Sequence, residues 1–263
     1  MELVKFFRIY LWNSKLNIAR GMEYRTDFLV GMAVNLLFTG AGPVFQYLVF
    51  QQINGFPGWS LQDILLFQGI LLLVLGIRGS FLGGYPEYVQ LMVQKGELDT
   101  LLLRPFSSLG MILSRGFFVE NIGSVLAGAV LVAYGVEKSG ASPTIWEGIG
   151  FFAAILCGLL FFLSIDILYS CMVVFLIHIG RLKEIFDNLA KFGQYPLEIF
   201  SKGMQAVLYT VLPMALWVNV PCKILLEGIQ PYLFCGVSFL FAWLAGSISL
   251  WNLCMKKYTS AGG

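Results

Sequence analysis

The sequence predicts an all-α polytopic membrane protein. Three observations support this: an apolar composition, six long apolar runs, and basic segments that alternate between them. Of the 263 residues, 58% are hydrophobic and 12% are charged, whereas soluble domains average about 45–50% apolar and about 25% charged residues. A soluble domain of this composition would expose large apolar patches to water, and a disordered chain is far more polar. We therefore expect one membrane domain over residues 1–263, with connecting segments too short to fold separately.

Residues 1–26 are predicted to form an interfacial helix rather than a membrane-spanning one. At about 100° per residue, a set of apolar side chains falls within an arc of about 120°. Its members are Leu3, Phe7, Tyr10, Leu11, Ile18 and Met22. Basic side chains lie outside that arc, where they can contact anionic lipid headgroups; they are Lys5, Arg8, Lys15 and Arg20. The alternative is a basic segment that only sets the topology.

Six apolar runs are long enough to cross the hydrocarbon core, which requires about 20 residues. The predicted spans are Phe28–Phe50, Ile64–Leu82, Met111–Tyr134, Ile149–Ile177, Ile199–Leu216 and Pro231–Met255. The fourth is longer than one crossing needs, so we expect it to be tilted, kinked or extended into the cytoplasm.

Lysine and arginine residues alternate between the two sides of the predicted membrane. All but two of the 17 lie before span one, between spans two and three, between spans four and five, after span six, or at the adjacent span ends. The exceptions are Lys138 and Lys223. Because basic residues concentrate in cytoplasmic segments, we expect both termini in the cytoplasm and an even number of spans.

The longest predicted cytoplasmic connection, residues 83–108, is expected to contain two short amphipathic helices. Gly96 separates Tyr88–Gln94 from Glu97–Leu103, because glycine weakens a helix interior. The second helix should end before Pro105, since a residue preceding proline disfavours the α region. Its leucines argue against a purely solvated loop, and its charges of both signs would face a partner.

Residues 213–231 are apolar but are interrupted by three prolines and one glycine. Irregular backbone at membrane depth is tolerated only where protein or water covers it. We therefore expect a re-entrant pair of short helices that enters from the outer side. Lys223 and Glu227, four residues apart, would then share a helix face near the outer interface.

The sequence carries no motif for nucleotide hydrolysis or metal chemistry. No Gly-Lys dipeptide occurs, which excludes a P-loop, and neither HExxH nor GxSxG is present. A single histidine and five cysteines without a CxxC pair do not predict a zinc site. We predict no catalytic, cofactor-binding or metal-ligating residue, and a net charge of +2 does not indicate a nucleic-acid partner. A disulfide between Cys222 and Cys235 stays open.

Ionisable residues within predicted spans are candidates for a translocation pathway. Asp166 lies within span four and Glu120 near the middle of span three, and either could face a cavity or a proton path, or only bond between helices. Arg78, near the inner end of span two, can extend its side chain to the interface. Three amides are also predicted to bond between helices; they are Asn35, Gln68 and Asn121.

The segment Gly96–Arg115, GELDTLLLRPFSSLGMILSR, resembles the signature stretch of the type-2 permeases of ATP-binding-cassette (ABC) exporters. It is similar to a subfamily of roughly this length with the cytoplasmic pattern G-x-L-D-x-L-L-L-R-P. The matching residues are Gly96, Leu98, Asp99, Leu101, Leu102, Leu103, Arg104 and Pro105. The basic N-terminal helix, the six spans and the proline-interrupted outer segment also match, so the resemblance covers essentially the whole chain.

The resemblance implies a permease subunit of an ATP-driven exporter in a prokaryotic inner membrane, embedded among its lipids. Such permeases pair with an identical or a related permease, and each contacts a separate ATPase subunit. The loop between spans two and three supplies the helix that docks on the ATPase, which assigns Glu97, Asp99 and Arg104 to coupling. The outer re-entrant segment helps to close the pathway. ATP hydrolysis is then expected on the other chain, and this chain is expected not to be an enzyme.

Two other functions stay open from the sequence alone. A proton-coupled secondary carrier would use Asp166 or Glu120, although inverted repeats, which often accompany such carriers, are not seen. A membrane enzyme acting on lipids would need a cluster of polar catalytic groups at one interface, and the sequence shows none. The aromatic, apolar body suits lipidic or amphipathic cargo, including drugs, whereas glycans, peptides and small organic cations also stay open.

Overall fold

The computed structural model describes residues 2–23, 25–52, 56–104, 106–176, 184–185, 188 and 191–258, with all their side chains except those of Glu2, Leu3, Arg20 and Tyr232. Every regular element in these residues is helical. The α-helices are α1 (Glu2–Glu23), α2 (Arg25–Gln52), α3 (Leu61–Phe81), α4 (Tyr85–Gln94), α5 (Leu98–Leu102), α6 (Ser108–Leu113), α7 (Ile122–Ser139), α8 (Ile145–Leu176), α9 (Lys202–Tyr209), α10 (Asn219–Glu227) and α11 (Tyr232–Lys257). Short 3-10 helices cover Val119–Asn121, Phe192–Gln194, Leu197–Ile199 and Met214–Leu216.

Five helices in the described residues, α2, α3, α7, α8 and α11, are long and apolar enough to cross a membrane. The protein is therefore an all-α polytopic membrane protein, as predicted, and α2, α3, α8 and α11 correspond to predicted spans one, two, four and six. Capping boxes fix where α3 and α8 begin, because side chain and backbone exchange hydrogen bonds three residues apart. Ser60 and Asp63 form the first box, and Thr144 and Glu147 form the second.

The third span begins later than predicted. Met111–Tyr134 is not one helix, because α6 ends at Leu113 and α7 begins only at Ile122. Between them the backbone turns, and the N–H of Phe118 donates to the carbonyl of Ser80 at the end of α3 (2.9 Å). The hydropathy of these residues resembles that of a span, so it did not reveal the break.

The predicted fifth span, Ile199–Leu216, is wrong as a single crossing, because its longest helix, α9, has 8 residues. At about 1.5 Å per residue α9 is about 12 Å long, well short of a hydrocarbon core of about 30 Å. Beyond it the N–H of Leu212 donates back to the carbonyl of Val207 (3.0 Å), just before Pro213. The predicted count of six is not confirmed. The described residues omit Pro105 and most of residues 177–190, which include the predicted end of span four at Ile177.

Among the residues that the structure describes, two buried apolar clusters, each containing a fully buried tryptophan, hold the helices together. The Trp217 cluster joins α3, the first half of α8 and much of residues 214–225. The Trp251 cluster joins α4, α5, α6, the second half of α8 and the end of α11. We call the end of the molecule at which α3 and α8 begin the Trp59 end, and the opposite one the Trp251 end. The continuous described chain resumes at Lys191, and Phe192 packs against the Trp217 cluster, upstream of the predicted fifth span.

Helices α3 and α7 pack closely because each presents glycines to the other. Gly69 and Gly76 of α3 face α7, and Gly128 and Gly135 of α7 face α3. A Cβ on Gly76 would lie 2.7 Å from the backbone nitrogen of Val125, which is closer than such atoms can approach. Small residues at a membrane helix interface allow this backbone approach, so α3 and α7 form one closely packed pair.

Helix α1 packs beside the turn between α6 and α7. Asn13 Nδ2 donates to the carbonyl of Ser114 (3.2 Å), and Asn17 Nδ2 donates to the carbonyl of Phe117 (2.9 Å). Its other face exposes apolar side chains, among them Trp12. A helix fixed to the protein body with an exposed apolar face is suited to the membrane interface, and that location for residues 1–26 stays a prediction.

Candidate functional site

The chain between α3 and α7 folds into three short helices, α4, α5 and α6, at the Trp251 end. Gly84, with φ +72°, turns the chain out of α3, and Pro86 follows in the first turn of α4. Gly96, with φ +67°, separates α4 from α5. The two short helices expected within residues 83–108 are therefore present, and α5 ends at Leu102.

Helices α4 and α5 are packed into the protein body rather than surrounded by water. Tyr85, Val89 and Val93 of α4 are buried in the Trp251 cluster, which also contains the second half of α8. Leu98 and Leu101 attach α5 to the same cluster. Because such interiors are close-packed and transmit displacement, a force on α5 reaches α4 and α8.

Two of the three predicted coupling residues border one cleft on α5. Glu97 and Arg104 are exposed and, together with Tyr88 and Arg115, line a cleft of about 290 Å³. Asp99 is half-buried and interacts with another group of the chain. The structure therefore brings Glu97 and Arg104 together at an accessible surface and sets Asp99 apart from them.

Arg115 and Tyr88 were missed by the sequence reasoning. The guanidinium carbon of Arg115 lies 5.0 Å from the centroid of the Tyr88 ring, and Arg115 also donates a hydrogen bond to the Tyr88 hydroxyl. This cation–π pair joins the end of α6 to α4. The two residues lie 27 positions apart, and no periodicity within one helix could pair them.

Apolar side chains are exposed beside this cleft. Leu103 is 86% exposed and Leu102 is 41% exposed, although leucines nearby are buried. We call the exposed residues Glu97, Thr100, Leu102, Leu103 and Arg104 the α5 tip. Exposed apolar groups with charges of both signs around them are typical of a surface that contacts another protein.

An ion pair joins the end of α3 to the middle of α8. A guanidinium nitrogen of Arg78 lies 3.0 Å and 3.3 Å from the two carboxylate oxygens of Asp166. The Asp166 side chain is 9% exposed and that of Arg78 is 30% exposed. The sequence predicts that Arg78 can extend its side chain to the membrane interface, whereas in the structure Arg78 pairs with Asp166. Charged groups inside a membrane protein are usually paired, so the sequence indicated that Asp166 needs a partner but did not identify Arg78 as that partner.

Aromatic rings continue this contact toward the Trp217 cluster. The guanidinium carbon of Arg78 lies 4.3 Å from the centroid of the Phe162 ring. Phe162 stacks in turn on Trp217, with ring centroids 3.2 Å apart and an interplanar angle of 22°. Arg78 is thus in contact with Asp166 and also, through one ring, with the segment that precedes α10.

A polar cavity of about 260 Å³ opens at the Arg78–Asp166 pair. Its lining includes Gly83 and Gly84 at the junction of α3 and α4, and Glu87 in the first turn of α4. Glu87 interacts with other groups of the chain. The cavity lies where α4 joins α3 and faces α8. A tilt of α4 would therefore change the contacts between α3 and α8 at this cavity.

Glu120 does not lie where the sequence placed it. It is exposed, on the 3-10 helix that precedes α7, rather than near the middle of a span. Its neighbour across the interface is α2, where a Cβ on Gly31 would lie 3.9 Å from its Cγ. Asp166 faces Arg78 instead, and the structure does not bring the two predicted pathway carboxylates into one site.

Hydrogen bonds between side chains attach α2 to the other helices. Asn35 Nδ2 donates to Asn121 Oδ1 (2.9 Å), and Ser124 Oγ donates to Asn35 Oδ1 (3.1 Å). Farther along, Gln68 donates to Gln46. The predicted interhelical bonding of Asn35, Gln68 and Asn121 is confirmed.

A second polar junction lies at the Trp59 end. Glu198 accepts a hydrogen bond from Trp59 Nε1 (2.8 Å), and its other carboxylate oxygen lies 2.5 Å from Lys223 Nζ. Burial raises the pKa of Glu198, but hydrogen bonds from Lys223, the backbone and Trp59 outweigh that effect, so the net pKa is lowered. The group ties α3 to α10 and borders a cavity of about 460 Å³, which Glu227 also lines.

Cys222 and Cys235 are not bonded to each other. Cys222 is buried on α10, Cys235 is exposed on α11, and both are free thiols. The possibility left open by the sequence is therefore not realised.

Comparison with known proteins gives one match. The sequence profile of the family described as ABC-2 family transporter protein matches residues 36–262, which is most of the chain. Neither the curated proteins nor the solved structures compared with the chain contain a match.

Proposed function

Because the chain belongs to the ABC-2 transporter family, we propose that it is the permease subunit of an ATP-driven exporter. Membership makes it a multi-pass membrane component of an ABC transporter and implies an ABC ATPase as its partner. The export direction, the pairing with a second, identical or related permease, and the lack of an enzymatic activity on this chain belong to the proposal. ATP would be hydrolysed on the separate ATPase chain.

The observation that carries the proposal is the contrast between the exposed α5 tip and the buried helices behind it. Glu97, Arg104 and Leu103 are accessible, whereas the opposite faces of α4 and α5 belong to the Trp251 cluster. A partner that binds the tip would therefore move part of the membrane body. This supports the α5 tip as the ATPase contact, with Asp99 supporting the loop from within.

We place the Trp251 end in the cytoplasm of a cell with an inner membrane. Residues 83–108, α1 and the basic end of α11 with Lys256 and Lys257 all belong to this end, as expected for cytoplasmic segments. Both termini would then be cytoplasmic. The Glu198–Lys223 junction would lie on the outer side, where the re-entrant residues 213–231 would help to close the pathway. Glu198 would therefore be outside, whereas the sequence predicts a cytoplasmic location for the chain before Ile199.

Transport would result from a tilt of α4 that follows ATP-driven movement of the partner. The Arg78–Asp166 pair joins α3, which leads into α4, to α8, so the two spans would move as a unit. Contact of Phe162 with Trp217 would extend that movement toward α10. This is alternating access by rigid-body motion of packed helices.

A second permease would cover α2. Leu37 is 73% exposed and Phe38 is 80% exposed, while α2 is attached to this chain by the side-chain amides of Asn35 and Gln46. Helices in a membrane associate through close packing and polar bonds rather than through the hydrophobic effect. A related or identical permease is the partner that would share the translocation pathway along this helix.

The proton-coupled carrier gains no support from the site. The Asp166 carboxylate is paired with Arg78, and Glu120 is exposed at the end of a span. A relay across the membrane needs ionisable groups within one pathway, and these two carboxylates face different helices.

The test reverses the charges of the α5 tip. Glu97→Lys with Arg104→Glu should leave membrane insertion intact, lower co-purification of the ATPase at least ten-fold, and abolish transport that depends on ATP. The matched control, Glu137→Lys with Lys138→Glu, reverses two exposed charges at the Trp59 end of α7 and should change neither.

Two results would contradict the proposal. One is normal ATPase binding and transport after charge reversal at the α5 tip, which would remove the coupling assignment. The other is transport that survives ATP depletion and collapses with an uncoupler, which would indicate a secondary carrier.

A further inference from the structure

A groove of about 300 Å³ lies between α8 and α11 and is open at the surface of these two helices, both of which are long and apolar enough to span a membrane. Leu168 of α8 forms one side, and Phe239 and Leu250 of α11 contribute to the other. Gly246 lies between them, and a Cβ added to it would meet no atom within 4 Å. The absence of a side chain at Gly246 therefore leaves the groove open, and no backbone contact requires glycine there.

The polar groups at this groove already have partners. Trp243 Nε1 donates to the carbonyl of Val211 (2.6 Å), and Ser247 Oγ donates to the carbonyl of Leu244 (3.0 Å). A polar ligand would lose hydrogen bonds to water and gain none here. An apolar chain fits the groove without that cost.

Basic residues continue the groove along α11. Lys257 follows Gly246 by eleven positions, which is about 16 Å at about 1.5 Å per residue. At about 100° per residue, the two positions point within about 20° of each other. Lys256 and Lys257 are exposed in the last turn of the helix. The groove therefore leads along one helix face to a positive charge.

We propose that this groove is a binding site for an acidic phospholipid, with one acyl chain against Gly246 and the phosphate at Lys257 and Lys256. One leaflet accounts for about 15 Å of a hydrocarbon core of about 30 Å, which matches the distance along α11. The groove selects for an acyl chain, and the lysines select for a negative headgroup at the membrane surface. The site needs only the membrane location of the chain and is independent of the transport function proposed above.

A second copy of this chain fits the groove less well. Two copies in one membrane have the same orientation, so a symmetric α11–α11 contact would bring the Lys256 and Lys257 pairs together at the same depth. Like charges directly opposed across an interface disfavour the contact. An acidic headgroup neutralises the same lysines.

The experiment measures lipid retention by the full chain with its co-purified subunits. The protein is incorporated into nanodiscs that contain phosphatidylglycerol and phosphatidylcholine in equal amounts, is released into detergent, and its retained lipids are counted by native mass spectrometry. We expect one phosphatidylglycerol per chain, retained in preference to phosphatidylcholine.

Gly246→Leu should lower phosphatidylglycerol retention at least ten-fold, because its side chain would fill the groove. Gly148→Leu is the matched control: it also meets no atom within 4 Å but lies near the start of α8, and retention should not change. Lys256→Gln with Lys257→Gln should lower the preference for phosphatidylglycerol about five-fold for each lysine. Lys138→Gln should leave it unchanged.

Equal retention of the two lipids, or retention that is unaffected by Gly246→Leu, would overturn the proposal. A change from dimer to monomer on Gly246→Leu would also overturn it, by identifying a second copy as the occupant. If Gly246→Leu does not fold, Leu250→Trp fills the same groove from its side, and the lysine variants test the headgroup contact separately.

Discussion

Loss of the Asp166 charge should destabilise the protein by about 2–3 kcal/mol. Removing one partner of a buried ion pair leaves an uncompensated charge and costs about 3–5 kcal/mol. In Asp166→Asn the remaining charge is Arg78, whose side chain is 30% exposed and borders a cavity of about 260 Å³. Water can partly solvate that guanidinium, which places the expected cost below the range for a fully buried group.

The complementary variant should be more damaging. Arg78→Gln leaves the Asp166 carboxylate, which is 9% exposed, without its cation, so its cost should reach the full range of about 3–5 kcal/mol. Because about 1 kcal/mol shifts the unfolding midpoint by about 2–4 °C in a chain of this size, Asp166→Asn should lower the midpoint by about 5–10 °C and Arg78→Gln by more.

Thermal unfolding of purified protein in one detergent measures these shifts. The double variant Arg78→Gln with Asp166→Asn should be less destabilised than the sum of the single variants, because it leaves no unpaired charge. Glu137→Gln, which removes an exposed carboxylate on α7, is the control and should stay within about 1 °C of the wild type. Strict additivity, or an Asp166→Asn midpoint equal to that of the control, would refute the reasoning.

Three further experiments test the packing, the Trp59-end junction and the thiols. Gly76→Val should cost at least about 1–3 kcal/mol, measured as a lower unfolding midpoint, because its Cβ would overlap the α7 backbone. The lowered pKa of Glu198 means that its ion pair stabilises the fold above the unfolded-state pKa of about 4.3, and that this stabilisation is lost as the pH falls through the lower folded value. Acidification below about pH 4 should therefore lower the unfolding midpoint of the wild type more than that of Glu198→Gln. A maleimide should label exposed Cys235 in the folded protein and buried Cys222 only after denaturation.

Each of these predictions has a result that contradicts it. A Gly76→Val midpoint equal to that of Gly148→Val, which meets open space, would mean that α3 and α7 are not in close contact. An equal acid-induced fall of the unfolding midpoint in wild type and Glu198→Gln would show that the Glu198–Lys223 junction does not cause the loss of stability in acid. Labelling of both thiols at equal rates would place α10 nearer the surface than the structure does.

The sequence specified those features that depend on composition and local pattern. A run of about 20 apolar residues is long enough to cross a membrane, and within the membrane a helix satisfies all of its own backbone hydrogen bonds. These two facts identified α2, α3, α8 and α11. Glycines and prolines likewise predicted the short helices of residues 83–108, since they fix where a helix can begin or end. Hydropathy failed between Met111 and Phe118 and again after Ile199. Met111, Ile112, Phe117, Leu208 and residues 214–216 are buried in the protein, and hydropathy does not distinguish burial in protein from contact with lipid.

Pairing across the bundle was decided only by the tertiary structure. The sequence alone supplied Arg78, Asp166, Trp59, Glu198 and Lys223 as separate side chains, far apart along the chain. Local periodicity relates residues three or four positions apart, whereas these contacts join different helices whose rotation and depth depend on packing. The same limit applies to Glu120, which was predicted near the middle of a span but lies before its start, because α7 begins only at Ile122. Thus the amino-acid sequence by itself determines that the protein is a helical membrane protein, and the close packing of its helices determines which charged side chains form ion pairs.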